Sequence, residues 1–340
     1  MPLLEVKNLC VSFQTRKGDF RAVNGVSFTV EQGKTLALVG ESGSGKSVTA
    51  MSILRLLDRN GRIDSGEILF WEDGEKTDLV RLDEGEVCTV RGNKISMIFQ
   101  EPMTALNPVF TIERQLCEPF LIHRGCTKAQ AAQGAREMLL SVGIAQPERV
   151  LKGYAHELSG GMRQRVMIAM ALACKPKLLI ADEPTTALDV TIQAQILRLM
   201  QDLQRQNGAA ILFITHDLGV VGEVADDVAV MYCGQDVELV PAPVVFQENG
   251  YSHPYTEALL NCIPSRAKKG KRLESIKGSA PQPFEQPKGC KFSPRCKYRT
   301  ERCIEEEPLL FEVETGQRIR CFYPCKAQRK GEAHAKLIVD

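Results

Sequence analysis

The segment Gly40–Ser47 constrains the fold of this chain more than any other stretch. It reads Gly-Glu-Ser-Gly-Ser-Gly-Lys-Ser and fits the pattern G-x-x-x-x-G-K-[ST] at every fixed position. The apolar run Leu36–Val39 precedes it and predicts a buried strand, and a helical pattern runs from Ser47 to Leu57. A strand, a glycine-rich turn and a helix in this order form the entry to an α/β nucleotide-binding fold.

This turn is suited to bind the phosphates of ATP. Its glycines let backbone N–H groups approach the phosphates, and the following helix adds the positive end of its dipole. Lys46 is expected to contact the β- and γ-phosphates, and the Ser47 hydroxyl is expected to bind Mg²⁺. The other candidate nucleotide-binding residues here are Gly40, Ser42, Gly43, Ser44, Gly45 and Val48.

A second apolar run ends in two carboxylates. Leu178–Ala181 predicts a buried strand, and Asp182 and Glu183 follow it directly. Asp182 can bind Mg²⁺ through water, and Glu183 can act as general base on the attacking water. An Asp-Glu pair alone would be a solvated loop, but the phosphate-binding pattern in the same chain favours the catalytic interpretation.

Further apolar runs predict strands at Ile95–Phe99, Ala210–Thr215 and Val228–Met231. Helical patterns separate them, and this alternation predicts a largely parallel sheet. Val190–Gln206 is one such helix, with Gly208 suited to its C-terminal cap.

Thr111–Val142 is also helix-periodic. Thr127 is a plausible N-cap, and Ala131, Ala135, Met138 and Val142 are expected to share one face. After Val240, repeated prolines predict a linker and a small appended module rather than more sheet.

Charge and hydropathy exclude several classes of protein. The chain has 43 Lys and Arg against 42 Asp and Glu, which argues against a dedicated nucleic-acid binder. Apolar runs stay short of the ~18–20 residues of a membrane span. The N-terminus lacks the pattern of a secretory signal. A cytosolic chain that reaches the membrane through a partner is therefore expected.

Cysteines concentrate near the C-terminus. Of 12 in the chain, five lie between Cys290 and Cys325. Four of them, Cys290, Cys296, Cys303 and Cys321, have the spacing C-x5-C-x6-C-x17-C, which matches no compact ferredoxin or zinc-finger template. Their density favours a metal site, and Zn²⁺ or four reduced thiols remain open on spacing alone.

A third motif lies 23 residues before Asp182. It reads Leu158-Ser159-Gly160-Gly161-Met162 and is followed by an Arg/Gln-rich helical pattern. A serine and two glycines at a helix start offer N–H groups and a hydroxyl to an anion.

With this segment, the chain resembles the ATPase subunits of ABC transporters, whose signature is LSGG. The resemblance implies a P-loop α/β fold with a RecA-like, mostly parallel sheet core. It also implies an N-terminal antiparallel β subdomain and a helical signature subdomain at about 101–165.

The resemblance assigns further roles by position. Gln100 resembles the glutamine that senses Mg²⁺ and the attacking water. Asp189, in Ala187-Leu188-Asp189, resembles the D-loop aspartate, and His216 resembles the switch histidine at the γ-phosphate. Phe13 is the first choice for stacking on adenine. Phe20 is the second, and a plain core phenylalanine is the alternative.

The resemblance also implies an assembly. Such ATPases act as head-to-tail dimers in which ATP on Gly40–Ser47 of one subunit meets Ser159, Gly160 and Gly161 of the other. A related but different subunit is the expected second ATPase. Two permease subunits would dock on the segment 101–108 and the helices up to Tyr154. An extracytoplasmic binding protein completes the assembly, and this chain would lie peripherally on the cytoplasmic face of the inner or plasma membrane.

Longer segments resemble the peptide importer subgroup. They are QEPMTALNP at 100–108, LSGGMRQRVMIAMAL at 158–172, ADEPTTALDVTIQAQIL at 181–197 and HPYT at 253–256. They imply uptake of dipeptides or oligopeptides, with nickel and glutathione as alternatives. They also imply an ATPase domain at 1–245 and an extension at 246–340, with a cysteine-rich module at about 288–325.

Some members of this subgroup hold a [4Fe–4S] cluster in that module. The resemblance therefore favours such a cluster over Zn²⁺ at Cys290, Cys296, Cys303 and Cys321, with Cys325 as a bystander.

Two other classes remain as alternatives. A soluble ABC ATPase acting on nucleic acid or the ribosome would usually carry a coiled-coil insertion, for which the chain has no room between Gln100 and Ser159. A regulatory or redox protein with a degenerate ATP site would lack hydrolytic residues, yet Glu183 and His216 are present.

Overall fold

The computed structural model describes residues 1–101, 105–186, 188–247, 250–263 and 276–326. The chain divides into two compact units, each described by itself. The signature unit comprises Met1–Leu3, Val30–Lys34 and Arg81–Ile214. The phosphate-loop unit comprises Leu4–Thr29, Thr35–Val80 and the described residues from Thr215 onward.

The strands, numbered along the chain, have these bounds: β1 Pro2–Thr15, β2 Gly18–Glu31, β3 Thr35–Val39, β4 Gly61–Glu72, β5 Glu75–Asp78, β6 Ile95–Ile98, β7 Leu178–Asp182, β8 Ala210–Thr215, β9 Asp227–Tyr232, β10 Gln235–Pro241, β11 Tyr251–Ser252, β12 Phe311–Glu314, β13 Gln317–Ile319 and β14 Cys325–Lys326.

The α-helices are α1 Lys46–Ile53, α2 Glu84–Val90, α3 Ile112–His123, α4 Lys128–Ser141, α5 Pro147–Lys152, α6 Gly160–Leu172, α7 Val190–Asn207, α8 Leu218–Val224, α9 Ala242–Val245, α10 Pro254–Asn261 and α11 Glu301–Glu305. Short 3₁₀ turns lie at Ala155–Glu157 and Pro283–Glu285.

The phosphate-loop unit contains the predicted antiparallel sheet. Its strand order is β2-β1-β4-β5, and β4 pairs antiparallel with both β1 and β5. Leu4, Val6 and Val11 of β1 are buried, as are Val26 and Phe28 of β2. These apolar side chains give the strands one buried face, as their alternation predicts.

The same unit holds β3, which pairs parallel with β9, and β10, which pairs antiparallel with β9. The expectation that no further sheet follows Val240 is wrong. β13 pairs with β10 in the register Glu238↔Ile319 and Leu239↔Arg318, and β12 pairs with β13. β10 would otherwise end the sheet with an open row of N–H and C=O groups, and the added strands pair with it.

In the signature unit, β6, β7 and β8 form a parallel run with β7 in the middle. The predicted helical subdomain consists mainly of α3 to α6. Thr127 caps α4 through a capping box with Gln130, as predicted. The buried face of α4 is Ala131, Ala135 and Leu139, so Leu139 takes the place predicted for Met138, because positions four apart share a helix face.

Helix ends follow local backbone chemistry. Gly208 closes α7 in the left-handed conformation at φ 65°, as predicted. The first helix is shorter than predicted: α1 ends at Ile53 rather than Leu57, and Arg55 adopts φ 51°, which ends helical geometry.

No helix among the described residues is both long and apolar enough to span a bilayer.

Candidate functional site

The phosphate loop joins β3 to α1. Lys46 is the first residue of α1, and its side chain is buried within the loop. Its Nζ donates hydrogen bonds to the carbonyl oxygens of Gly40 at 2.8 Å and Glu41 at 3.0 Å. The ammonium group therefore lies inside the turn, where phosphate oxygens can replace these carbonyls as acceptors.

Steric contacts explain two of the glycines. A Cβ atom on Gly40 would lie 2.2 Å from the carbonyl oxygen of Met231. A Cβ atom on Gly45, which caps α1 at φ 99°, would lie 2.8 Å from the carbonyl oxygen of Ala22. β9 and β2 thus approach the loop so closely that only glycine fits at these positions.

The carboxylate cluster lies in the signature unit. Asp182 is the buried last residue of β7, and Glu183 follows with φ 45°, a rare conformation for a residue other than glycine. Gln100 Nε2 donates to Glu183 Oε2 at 3.0 Å, and Thr186 Oγ1 donates to the same oxygen at 2.9 Å. The structure therefore brings together Gln100 and Glu183, 83 residues apart, and adds Thr186, which sequence reasoning missed.

Gln164 is a second missed residue beside this cluster. It lies in α6, is buried, and its Nε2 donates to the carbonyl oxygen of Pro184. The signature helix is thereby attached to the turn that follows Glu183. The Arg/Gln-rich pattern after Met162 was the available signal, but the pattern does not show which of its side chains points inward.

Ser159 is the N-cap of α6. Its Oγ accepts a hydrogen bond from the N–H of Met162 at 3.3 Å, and Gly160 and Gly161 form the start of the first turn. Ser159 and Gly161 line a cleft of about 770 Å³ together with Met162 and Arg165. The N–H groups of the first turn and the positive end of the helix make this edge suited to an anion.

The remaining predicted residues lie at the ends of three different elements, namely the starts of α7 and α1 and the end of β8. Asp189 caps α7, and its Oδ1 accepts a hydrogen bond from the N–H of Ile192 at 3.0 Å. Ala187, in the same Ala-Leu-Asp segment, lies outside the described residues. His216 directly follows β8 and is exposed. Ser47 and Val48 lie in the first turn of α1.

The two aromatic candidates lie against each other. The rings of Phe13 and Phe20 are stacked with centroids 5.8 Å apart and an interplanar angle of 19°. Phe284, from the extension, contacts Phe20 edge-on at 5.8 Å and is half exposed. Phe13 and Phe20 are therefore neighbours in one aromatic group, and Phe284 is a third member that sequence reasoning missed.

The four predicted cysteines line one small pocket, together with His253, Phe292, Tyr298 and Tyr323. The N–H of Tyr298 donates to Cys296 Sγ at 3.4 Å, and the N–H of Tyr323 donates to Cys321 Sγ at 3.3 Å. Burial raises the pKa of Cys290 to about 11 and also raises the pKa values of Cys296 and Cys321. The buried thiols are therefore protonated unless a bound cation stabilises the thiolates.

Across the described ranges, no group of three or more His, Cys, Asp or Glu side chains is arranged to hold a metal ion. Cys325 is buried but is not among the residues that line the pocket.

Two families match this chain. Residues 23–186 match the family described as "ABC transporter", and residues 237–303 match "Oligopeptide/dipeptide transporter, C-terminal region". The oligopeptide transport ATP-binding protein AppD of Bacillus subtilis is 52% identical over 94% of this chain and 96% of its own length. The dipeptide transport ATP-binding protein DppD of Escherichia coli is 47% identical over 95% of this chain and 97% of its own length.

Solved structures agree with the ABC transporter match. The dimeric ATP-binding cassette MJ0796, in a post-hydrolysis state with ADP and Pi, superposes with a TM-score of 0.62 at 28% identity, over 70% of this chain and 98% of that one. The structure of cbiO1 from Clostridium perfringens gives a TM-score of 0.59 at 27% identity, over 72% of this chain and 90% of that one. The chain therefore belongs to the ATP-binding subunits of ABC transporters, in the group that carries the oligopeptide/dipeptide transporter C-terminal region.

Proposed function

We propose that this chain is the ATP-hydrolysing motor of an importer, which couples ATP binding and hydrolysis to uptake of dipeptides and oligopeptides through separate permease subunits. The observation that carries this proposal is the fixed carboxylate of Glu183 at the end of β7. Peptide cargo is supported by relatives named for oligopeptide and dipeptide transport, at 52% and 47% identity.

Lys46 binds the β- and γ-phosphates in this proposal. Its ammonium group already contacts two carbonyl oxygens of the loop, and charged phosphate oxygens are stronger acceptors than neutral carbonyls. Backbone N–H groups of residues 40–48 and the start of α1 complete the phosphate contacts. Adenine stacks on Phe13 in this proposal, and Phe20 is the alternative aromatic residue.

Three side chains would hold Mg²⁺. The Ser47 hydroxyl, the Gln100 amide oxygen and the Asp182 carboxylate are the oxygen donors that this cation prefers. Asp182 is buried, and burial of a carboxylate is stabilised by a nearby cation. When bound, Mg²⁺ neutralises charge on the phosphates.

Glu183 acts as the general base. Gln100 and Thr186 both donate to its Oε2, which fixes the orientation of the carboxylate. A fixed carboxylate can accept the proton of a water molecule as that water attacks the γ-phosphorus. His216 contacts the γ-phosphate in this proposal.

The assembly follows from the signature edge. Ser159, Gly160 and Gly161 of one subunit bind the γ-phosphate of ATP held by another, and Asp189 lies at the same contact. We further propose a related second ATPase, two permease subunits and an extracytoplasmic binding protein as partners. The chain then lies peripherally on the cytoplasmic face of the membrane. The ATPase domain spans 1–245 and the extension 246–340.

The cysteine pocket holds a [4Fe–4S] cluster in this proposal. Four thiols facing one pocket, two of them with N–H donors, support an iron–sulfur site. Four thiolates are also the ligand set of a single Zn²⁺, so zinc is the alternative occupant of this pocket. When bound, a cluster would cross-link the module.

Metal content tests this site separately from transport. Protein purified without oxygen is expected to contain iron and sulfide in equal amounts, close to four of each per chain. The variant Cys290→Ser with Cys321→Ser is expected to lose both. Stoichiometric zinc without iron contradicts the cluster.

Transport itself is tested with the complete importer in vesicles. ATP inside the vesicles is expected to drive peptide uptake, and Lys46→Ala is expected to abolish uptake because nucleotide binding is lost. Uptake of nickel or glutathione but not peptides would contradict the proposed cargo. Purification of the chain with nucleic acid instead of two integral-membrane proteins would contradict the importer.

A further inference from the structure

Glu41, the second residue of the phosphate loop, is unexpected on electrostatic grounds. The pattern G-x-x-x-x-G-K-[ST] does not specify this position, and a carboxylate beside bound phosphates is repelled by them. The structure pairs it with Arg295. The two carboxylate oxygens of Glu41 accept from Nη1 at 2.6 Å and from Nη2 at 2.9 Å.

The Arg295 guanidinium is held by further contacts. Nη1 also donates to Tyr232 Oη at 3.3 Å, Nη2 to the Gly278 carbonyl at 3.2 Å, and Nε to the Lys277 carbonyl at 3.1 Å. All five N–H groups of the side chain therefore have an acceptor. The Arg295 side chain is 5% exposed, so solvent screens this ion pair less than a surface pair.

Arg295 lies between two of the pocket cysteines. The Ser293 N–H donates to the Cys290 carbonyl at 3.0 Å, and the Arg295 N–H donates to the Phe292 carbonyl at 3.0 Å. The turn from Cys290 to Cys296 therefore sets where the guanidinium stands. Phe292 anchors this turn in the core, with its ring centroid 5.3 Å from that of Tyr232.

The extension holds Glu41 by its backbone as well. The Glu41 N–H donates to Tyr255 Oη at 2.8 Å, and Tyr255 is fully buried in α10. The Glu41 carbonyl accepts from Lys46 Nζ at 3.0 Å. The N–H, the carbonyl and the carboxylate of this one loop residue thus have three different partners.

We propose that Arg295 is a positioning residue, through which the cysteine-rich module holds the phosphate loop ready to bind ATP. Arg295 neutralises Glu41 and directs its carboxylate away from the phosphates and from Lys46. The affinity for nucleotide then depends on an intact turn between Cys290 and Cys296. This inference rests on the proposed function only in taking ATP as the ligand of the loop.

A double-mutant cycle in the full chain tests the proposal. Binding of ATP with Mg²⁺ is measured for Arg295→Met, Glu41→Gln and the double variant. Arg295→Met is expected to weaken binding about 10-fold or more, because it leaves the carboxylate without its guanidinium. Glu41→Gln sets its own reference affinity, and adding Arg295→Met in that background is expected to weaken binding by less than about 2-fold.

Matched variants separate positioning from general loss of structure. Arg302→Met removes another arginine of the same module, one that pairs with Glu306 at the surface, and is expected to bind ATP normally. Arg295→Lys keeps the charge without the two-pronged geometry and is expected to restore part of the affinity. Equal losses from Arg295→Met in both Glu41 backgrounds, or no loss in either, would overturn the proposal.

Hydrogen exchange of residues 36–50 provides a readout independent of activity. Arg295→Met and the variant Cys290→Ser with Cys321→Ser are both expected to speed exchange there, while Arg302→Met is not. Unchanged exchange in the Arg295 variant would contradict the proposal. A parent chain that binds no ATP would instead defeat the proposed function, so the two failures are distinguishable.

Discussion

At the scale of single residues, the site depends on side chains that neighbours hold in defined orientations. Glu183 combines a positive φ of 45° with two hydrogen bonds to one carboxylate oxygen. Unfavourable backbone conformations of this kind persist where surrounding contacts stabilise them, and they concentrate at functional sites. The two hydrogen bonds to one oxygen therefore fix the orientation of the Glu183 carboxylate.

The variant Glu183→Gln tests this role. It is expected to bind ATP as the parent does, because the phosphate contacts are unchanged, but to hydrolyse it at least about 100-fold more slowly, because an amide is no base. Single-turnover hydrolysis and equilibrium binding, measured side by side, check both halves. Undiminished turnover would remove Glu183 from the chemistry.

At the scale of elements, β10 carries a buried acid. Glu238 is almost fully buried, with the Gln317 amide donating to Oε1 at 3.1 Å and the His253 N–H donating to Oε2 at 2.8 Å. Burial raises the pKa of Glu238 to about 7. His253 and Gln317 come from the extension, so this network joins β10 to the residues that follow it.

The raised pKa predicts a pH-dependent stability. The folded state favours the protonated form of Glu238. The contribution of this side chain to the free energy of unfolding is therefore complete below pH 4.5, the pKa of the unfolded state, and is lost as the pH rises through about 7. Glu238→Gln, which resembles the protonated form, is expected to become more stable than the parent as pH rises, by up to about 3 kcal/mol at pH 8.

Denaturant unfolding between pH 5 and pH 8 measures this difference. The nearby His253 is also buried, and burial lowers its pKa to about 3, so it stays neutral across this range. Glu314→Gln, on the exposed face of β12, is the matched control and is expected to follow the parent. A constant difference between Glu238→Gln and the parent would contradict the prediction.

At the scale of the whole molecule, the proposed contact of Ser159 with the γ-phosphate of a neighbouring subunit predicts ATP-dependent association with a second ATPase. Mixed with the proposed second ATPase, Glu183→Gln is expected to accumulate as a dimer when ATP is added, since it binds the nucleotide without hydrolysing it. Light scattering with and without ATP measures this. Adding Ser159→Phe is expected to abolish the dimer, while Ser141→Phe, at another exposed serine of the signature unit, is expected to leave it intact.

Much of the fold was predictable because its signals are local. Strand β7, the capping box at Thr127 and the left-handed Gly208 each follow from a few neighbouring residues. The same is true of the phosphate loop, whose chemistry is contained in eight consecutive residues. For these features, periodicity and backbone conformation were enough.

The sequence by itself predicted a phosphate-binding loop and most of the strands and helices around it, since such patterns depend on residue type and spacing. Only the tertiary structure decided that β13 extends the sheet at β10, that Phe284 joins Phe20, and that Arg295 reaches Glu41 across 254 residues. The physical reason is that such contacts depend on how distant surfaces fit and which buried charges must be neutralised, and neither is encoded in a local pattern.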